Sequence, residues 1–172
     1  MRESPRVARH IVVAIVLLAA VALIAFLGSM ATLPNTDGWY ATVAKVPWNP
    51  PNWVFGPAWS ILYVLIALAG WLIWRGGWRA EGTHAARPAL TAYVIQLVLN
   101  ALWTPVFFAG YPLVGESAWW IALAVILLLI VSVIWIIVSV RRTSQLAAWV
   151  LGPYLVWLVF ASSLNVGIIV LN

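Results

Sequence analysis

The stretch SAWWIALAVILLLIVSVIWIIVSV, residues 117–140, contains no charged side chain from its first residue to its last. A helix needs roughly 20 consecutive apolar residues to cross the hydrocarbon core of a bilayer. In lipid, a segment of this length satisfies its backbone N–H and C=O groups internally only as a helix. Residues 117–140 therefore predict a transmembrane helix, and they indicate a protein built for a bilayer.

Four further uncharged stretches repeat this pattern, at residues 11–36, 46–74, 88–115 and 143–172. The nine basic and four acidic residues all lie outside the five stretches, and the chain is 65% hydrophobic and only 8% charged. Soluble domains are about 25% charged, so this composition cannot supply a water-facing surface. We predict an all-α membrane protein, a bundle of five transmembrane helices forming one domain over residues 1–172, with spans near 11–33, 57–75, 89–108, 118–140 and 147–170.

The connection between the first two spans is the only long one. Pro34 and the run Asn49-Pro50-Pro51 prevent a single helix from continuing through it. We therefore predict a loop over roughly residues 34–56. Loops of this length without structure of their own are usually functional, and this one is rich in aromatic side chains.

The basic residues predict the orientation of the bundle. With five spans, the N-terminus, the second loop and the fourth loop share one side, which carries every arginine in the chain, whereas the opposite side carries the single lysine, Lys45. Because basic loops stay in the cytoplasm, we expect a multi-pass protein with a cytoplasmic N-terminus and an external C-terminus. A bacterial inner membrane is the simplest location. The first span is long for the apolar part of a cleavable signal peptide, so we expect it to be retained.

The five uncharged stretches contain no Asp, Glu, His, Lys or Arg side chain. A proton-coupled transporter generally needs one within the membrane, which argues against a small multidrug antiporter. Cysteine is absent, and the two histidines, His10 and His84, lie far apart in polar flanks, so no metal site is predicted. The chain offers no carboxylate pair and no nucleophile with a base, so acid–base and nucleophilic catalysis are not expected.

Most of the thirteen tryptophans fit an interfacial belt, where an indole sits at headgroup depth. This interpretation covers Trp39, Trp48, Trp53, Trp119 and Trp120 on the outer side, and Trp71, Trp74, Trp78, Trp149 and, less securely, Trp135 towards the inner side. Three tryptophans remain inside the second, third and fifth spans, namely Trp59, Trp103 and Trp157.

By these spans, Trp59 lies near the outer end of its helix, Trp103 lies in the outer half and Trp157 lies near mid-depth. Tyr63 follows Trp59 by one turn on the same helix face, and Asn100 precedes Trp103 by one turn. Aromatic and polar side chains from three spans therefore reach the outer half of the bundle, beneath the long loop. Aromatic walls with a few polar groups are typical of a small-molecule site. The alternative is ordinary helix packing, in which the aromatics fill gaps and Asn100 hydrogen-bonds to a neighbouring helix.

Three motifs stand out: WYA at 39–41 with KVPWNPPNWVFGPAW at 45–59, then Gln96-Leu97 and Leu99-Asn100 with LWTPVFF at 102–108, then Pro153-Tyr154, Trp157, Ala161 and Leu164-Asn165. Together they resemble the TspO/MBR family of tryptophan-rich sensory and translocator proteins. The motifs occur in order across most of the chain. The first and fourth spans match only in hydropathy.

The resemblance implies a five-helix bundle, commonly dimeric, with a cavity beneath the first loop. Its members bind porphyrins such as protoporphyrin IX and haem, cholesterol or related lipids, and benzodiazepine-type drugs. Carried over to this sequence, the ligand-binding residues are Tyr40, Trp59, Tyr63, Asn100, Trp103, Thr104, Trp157 and Ala161. The sterol motif often cited for the fifth helix needs Tyr and a basic residue, and residues 164–172 contain neither.

The resulting hypothesis is a membrane receptor or sensor that binds porphyrins or other flat hydrophobic molecules. The alternatives are a light- or oxidant-dependent enzyme that degrades porphyrins, and a transporter of porphyrin or lipid. No cofactor is required, since haem or protoporphyrin would be a ligand. The expected partners are this ligand, the lipid bilayer and a second copy in a homodimer; no nucleic acid is expected.

Overall fold

The computed structural model describes residues 5–77 and 86–172. Its helices are α1 Pro5–Thr36, α2 Trp39–Thr42, α3 Phe55–Gly76, α4 Arg87–Phe108, α5 Tyr111–Val114, α6 Ser117–Val140 and α7 Gln145–Leu171, with a 3₁₀ turn at Asn52–Val54. The helices α1, α3, α4, α6 and α7 are long and apolar enough to cross a membrane. The predicted class, a bundle of five transmembrane helices, is confirmed.

Each long helix covers the span predicted for it, but α1 extends further than expected. It continues through Pro34 to Thr36, so the first loop begins at Asp37 and not at Pro34. Side chains in these last turns hydrogen-bond to carbonyls four residues back, as in Asn35 Nδ2 to Ala31 O at 2.8 Å. Side-chain bonds of this kind help a transmembrane helix to tolerate proline.

The long helices form a closed ring that does not follow chain order. Around the ring, α1 contacts α3, α3 contacts α7, α7 contacts α6, α6 contacts α4, and α4 returns to α1. The ring has two ends. The loop end carries the first loop, residues 37–51, and the arginine end carries Arg9, Arg75, Arg87, Arg141 and Arg142. The sequence predictions for Arg2, Arg79, His84 and Trp78 lie outside the described residues.

Towards the arginine end, the bundle is solid. Its centre is filled by fully buried aliphatic side chains from α3, α6 and α7, among them Ile73, Leu129, Ile136 and Leu151. Close packing of this kind contributes most of the dispersion energy available between helices in lipid.

A glycine sets the approach of α3 to α4 in this solid half. A Cβ atom at Gly70 would lie 2.5 Å from Tyr93 Cζ. The hydroxyl of Tyr93 donates to Ile66 O at 2.9 Å, which fixes the ring against α3. Only glycine leaves room for that ring, as is common where transmembrane helices pack closely.

At the arginine end, aromatic contacts join α1 to α3. The His10 ring meets the edges of Trp71 and Trp74 at centroid distances of 5.8 and 4.9 Å. The guanidinium of Arg75 lies 5.1 Å from the centre of the Trp71 ring. His10 is thus half-buried against α3, although the sequence placed it in a polar flank.

Candidate ligand-binding site

A cavity of about 920 Å³ occupies the loop-end half of the bundle. It lies among α1, α3, α4 and α7, beneath the first loop, and no residue of α6 lines it. Small-molecule sites typically enclose about 300–1,000 Å³ and combine apolar walls with a few polar groups. The volume is therefore at the upper end of that range.

Two walls carry pairs of nearly parallel aromatic rings. On α3, Trp59 and Tyr63 are four residues apart, and their ring centroids lie 5.3 Å apart at an interplanar angle of 31°. On α4, Trp103 and Phe107 have the same spacing, with centroids 5.5 Å apart and an angle of 16°. Residues at i and i+4 share one helix face, so each pair presents an extended aromatic surface to the cavity.

The third wall comes from α7. The Trp157 ring meets Trp59 edge-on at 6.4 Å and Phe55 edge-on at 6.0 Å. Ala161, one turn further along α7, is buried and also lines the cavity. A small side chain at this position leaves room beside the indole of Trp157.

Helix α1 forms a fourth wall of the cavity, which was not predicted from the sequence. Its lining residues include Val21, Ala25, Gly28 and Thr32, at intervals of three and four. A Cβ atom at Gly28 would lie 3.6 Å from Thr104 Cγ2 on α4, an ordinary contact distance. The periodicity of small residues on one face was a usable signal, but hydropathy alone could not separate it from the lipid-facing side.

Tyr40, in the short helix α2, forms part of the roof. Its ring is buried, and its hydroxyl donates to Asn49 Oδ1 at 3.2 Å. Burial raises the pKa of this phenol above its usual value. Lys45 Nζ lies 4.7 Å from the centre of the Tyr40 ring and donates to Val43 O at 3.1 Å. Partial burial lowers the pKa of Lys45.

Hydrogen bonds and packing attach the roof to α4 and α7. The hydrogen bonds run from Trp39 Nε1 to Phe108 O (3.0 Å), from Trp48 Nε1 to Ser163 Oγ (3.3 Å), from Ala44 N to Asn172 Oδ1 (2.9 Å) and from Asn172 Nδ2 to Ala44 O (3.1 Å). In addition, Val46 packs directly against Gly167 of α7, where a Cβ atom would collide with it. The first loop therefore rests on one side of the ring.

The structure brings the predicted site residues together around this cavity, with one exception. Those that line it are Tyr40, Trp59, Tyr63, Trp103, Thr104, Trp157 and Ala161. The exception is Asn100, which is buried but does not line the cavity. The three tryptophans inside the spans thus share one hollow, as the depth argument predicted.

Asn100 belongs to a polar cluster beside the cavity. Its Nδ2 donates to the hydroxyl of Tyr154 at 2.7 Å, and its Oδ1 accepts a long bond of 3.4 Å from the hydroxyl of Tyr63. The Tyr154 hydroxyl in turn donates to Gln96 Oε1 at 3.2 Å. Both polar atoms of Asn100 are therefore engaged between helices, and the packing alternative describes its position better than the ligand-contact interpretation.

The belt interpretation was wrong for Trp119. This indole is only 2% exposed, and the Tyr111 ring stacks on it at 4.7 Å and 4°. Its neighbour Trp120 is 59% exposed and faces outward. Successive helical residues point about 100° apart, so Trp119 turns into the bundle while Trp120 faces outward. Trp39 is likewise partly buried, with its ring 4.4 Å from that of Tyr111.

Three residues that line the cavity have buried polar atoms without a hydrogen-bond partner in the described part of the chain. They are Trp103 Nε1, Trp157 Nε1 and Asn165 Oδ1. A buried polar group left unpaired costs about 1–3 kcal/mol, and such groups are rare in native proteins. These atoms belong to residues of the cavity walls, but each atom is itself covered and is not open to the hollow.

Comparison with known proteins agrees with this architecture. The family model described as "TspO/MBR family" matches residues 14–171. The chain is 40% identical to the tryptophan-rich protein TspO of Archaeoglobus fulgidus over 155 residues, covering 89% of this chain and 92% of that protein. It is 37% identical to the human translocator protein, covering 81% and 78% of the two chains, and 37% identical to the tryptophan-rich sensory protein of Cereibacter sphaeroides, covering 77% and 76%. The chain belongs to the TspO/MBR family of multi-pass integral membrane proteins.

Proposed function

We propose that this protein is a membrane receptor or sensor that binds a flat tetrapyrrole, such as protoporphyrin IX or haem, in the cavity beneath the first loop. Membership of the TspO/MBR family supports a membrane sensor, receptor or transporter role. The observation that carries the finer proposal is the pair of aromatic surfaces, Trp59 with Tyr63 and Trp103 with Phe107, on two walls of one hollow.

A flat macrocycle that stacks against these surfaces would gain binding free energy from aromatic contacts. Each favourable aromatic pair contributes about 0.5–1.5 kcal/mol beyond the burial of area. Several such pairs, added to apolar burial, bring micromolar affinity within reach, which corresponds to about −8 kcal/mol.

The shape of the hollow favours a receptor over a passage across the membrane. The residues that line it from α1 and α3 extend no further towards the arginine end than Leu18 and Val64. Beyond them lies the solid core around Ile73 and Ile136. A molecule bound at the loop end would have to displace this core to reach the other end.

The direct test is a porphyrin titration of the purified protein in lipid nanodiscs, followed by the shift of the porphyrin absorbance band. Trp59→Ala and Trp157→Ala should each weaken binding about tenfold, or about 1.4 kcal/mol, because each removes a stacking surface. Trp149→Ala is the matched control, since Trp149 is a tryptophan of α7 that is 73% exposed.

The proposal fails if both cavity variants are folded by circular dichroism and bind protoporphyrin as tightly as Trp149→Ala does. Repeating the measurement under light and oxygen distinguishes simple binding from degradation, because only an enzyme would yield a new bilin-like absorbance.

We also propose that the arginine end is cytoplasmic in a bacterial inner membrane, since the arginines cluster there. In intact cells, a membrane-impermeant thiol reagent should label Ala41→Cys at the loop end and leave Thr143→Cys at the arginine end unlabelled. The homodimer remains an expectation from the family resemblance, which the mass of the protein in nanodiscs would test.

A further inference from the structure

We infer that the ligand enters the cavity sideways from the bilayer, through a gap between the loop-end halves of α1 and α3, and not from water through the roof. The identity of the ligand rests on the proposed function. Three independent features of the fold indicate this entry route: the path of α1, the exposure of the residues at the gap, and the attachment of the roof.

The first feature is the path of α1 across the bundle. At the arginine end, His10 anchors it to Trp71 and Trp74 of α3. Towards the loop end, its Gly28 instead lies against Thr104 of α4. Thus α1 contacts α3 closely at one end and α4 at the other, which leaves α1 and α3 apart beside the cavity.

The second feature is the set of residues that both line the cavity and face outward. On α1, Leu33 is 71% exposed, and on α3, Val64 is 58% exposed, yet both belong to the lining. Ser29 and Ser60 share this double position. A side chain that is both exposed and part of a cavity wall lies at its mouth. Because these residues belong to the membrane-spanning parts of α1 and α3, the mouth reaches bilayer depth. It continues to the loop-end surface, where Asp37 and Trp53 are also exposed lining residues.

The third feature is the attachment of the roof. In the described part of the chain, the hydrogen bonds that join residues 37–51 to the long helices all go to α4 and α7. The packing of Val46 on Gly167 strengthens the same side. Opening the roof would break these contacts, whereas passage between α1 and α3 breaks none of them.

The chemistry of the mouth defines what can pass. The hydroxyls of Ser29 and Ser60 are engaged with Ala25 O and Gly56 O of their own helices, both at 2.9 Å. The remaining surface is aliphatic, and a charged group would be costly at this depth. Among the described residues, the only charged side chain that lines the cavity is Asp37, which directly follows α1. The fitting ligand is therefore a membrane-dissolved amphiphile that enters with its hydrophobic body while its polar groups stay near the loop-end surface.

A thiol-reactivity experiment tests this route without any porphyrin. The chain has no cysteine, so Ala161→Cys supplies a single thiol on the α7 wall. The protein in nanodiscs is treated with a long-chain N-alkylmaleimide or with a charged methanethiosulfonate, and each rate is divided by the rate of the same reagent with an exposed cysteine, Ala41→Cys. On this relative scale, the alkyl reagent should modify the thiol at position 161 at least about tenfold faster than the charged reagent, because reaction depends on access.

One double variant that plugs the mouth, together with one control variant, then locates the entrance. In the Ala161→Cys background, Ser29→Trp combined with Ser60→Trp should slow the alkyl reagent about tenfold or more. Ser139→Trp should not change the rate. Ser139 is also an exposed helical serine bonded to the carbonyl four residues back, Trp135 O at 2.7 Å, but it lies on α6, away from the cavity. Melting temperatures check that all variants are folded.

The inference is overturned if the charged reagent reacts as fast as the alkyl reagent on this relative scale. It is also overturned if the double serine variant slows the reaction of the alkyl reagent no more than Ser139→Trp does. A third contrary outcome concerns Asn172→Ala, which releases Ala44 from α7. The inference fails if this variant speeds the charged reagent by a larger factor than the double serine variant slows the alkyl reagent. If protoporphyrin fails to bind the unmodified protein, the proposed function is wrong. The thiol-reactivity results would still decide whether molecules enter the cavity between α1 and α3, because they do not depend on porphyrin binding.

Discussion

The two halves of the bundle are built from similar residues but differ in what they enclose. Towards the arginine end, aliphatic side chains such as Ile66 and Leu151 interlock with Tyr93 and Tyr154, and all four are buried. Towards the loop end, larger aromatic side chains surround a cavity of about 920 Å³. The solid half fixes the positions of the helices, so the hollow half can keep a space that its own packing would not maintain.

This contrast implies that substitutions in the two halves should have different consequences. In the solid half, a change of volume or a lost hydrogen bond should lower stability. In the hollow half, a similar change should alter ligand affinity with little effect on folding.

Gly70→Ala should produce the largest loss of stability. The new methyl group would lie within about 2.5–2.9 Å of three atoms of the Tyr93 ring and hydroxyl, which are held by the bond to Ile66 O. Overpacking of a tight core typically costs about 1–3 kcal/mol. The measurement is the free energy of unfolding in detergent.

Gly28→Ala is the control, because its methyl would meet Thr104 at an ordinary 3.6 Å. Replacing a mid-helix glycine by alanine should then be neutral or stabilising by up to about 1 kcal/mol. Equal destabilisation by Gly28→Ala and Gly70→Ala would show that the two halves are packed alike.

Tyr154→Phe should have an intermediate effect. It removes the hydroxyl that accepts from Asn100 and donates to Gln96, and leaves both amides short of a partner. Interhelical hydrogen bonds in membranes are worth about 0.6 kcal/mol on average and up to about 1.7, so we expect a loss of about 1 kcal/mol in the same unfolding assay. A result indistinguishable from Tyr111→Phe, which removes a hydroxyl near the loop end but keeps the ring stacked on Trp119, would contradict a structural role for the cluster.

Tyr63→Phe should have the smallest effect. The ring of Tyr63 forms part of the cavity wall, but its hydroxyl makes only a long bond of 3.4 Å to Asn100. Porphyrin affinity should therefore change by less than about threefold, since a weak neutral hydrogen bond contributes about 0.5 kcal/mol. A tenfold loss in a porphyrin titration would instead show that the hydroxyl contacts the ligand directly.

The sequence predicted the parts of this fold that depend on hydropathy and on spacing along one helix. Charge-free stretches located the five long helices, because a bilayer excludes charged side chains over a fixed thickness. The turn-by-turn spacing of Trp59 and Tyr63 placed both on one face of α3, and the structure has them lining one wall.

The features of the fold that the sequence did not predict depend on how each helix is rotated about its axis relative to its neighbours. The sequence showed how deep Asn100 lies in the membrane. It did not show that the side-chain amide of Asn100 points towards Tyr154. The burial of Trp119 and the cavity-facing side of α1 depend on the ring order of the helices, which hydropathy does not contain. Helix α1 is apolar all round, so hydropathy alone did not show that the face with the small residues near Gly28 lines the cavity.

The most direct test of the account is to fill the hollow. Ala161→Trp would place an indole inside the cavity on the α7 wall, whereas Ala124→Trp, at an exposed position of α6, would place the same side chain in lipid. In matched protoporphyrin titrations, the account predicts that Ala161→Trp weakens binding by about tenfold or more, or about 1.4 kcal/mol, and that Ala124→Trp binds like the unmodified protein. Equal affinity in two folded variants would contradict the claim that this hollow is the ligand site.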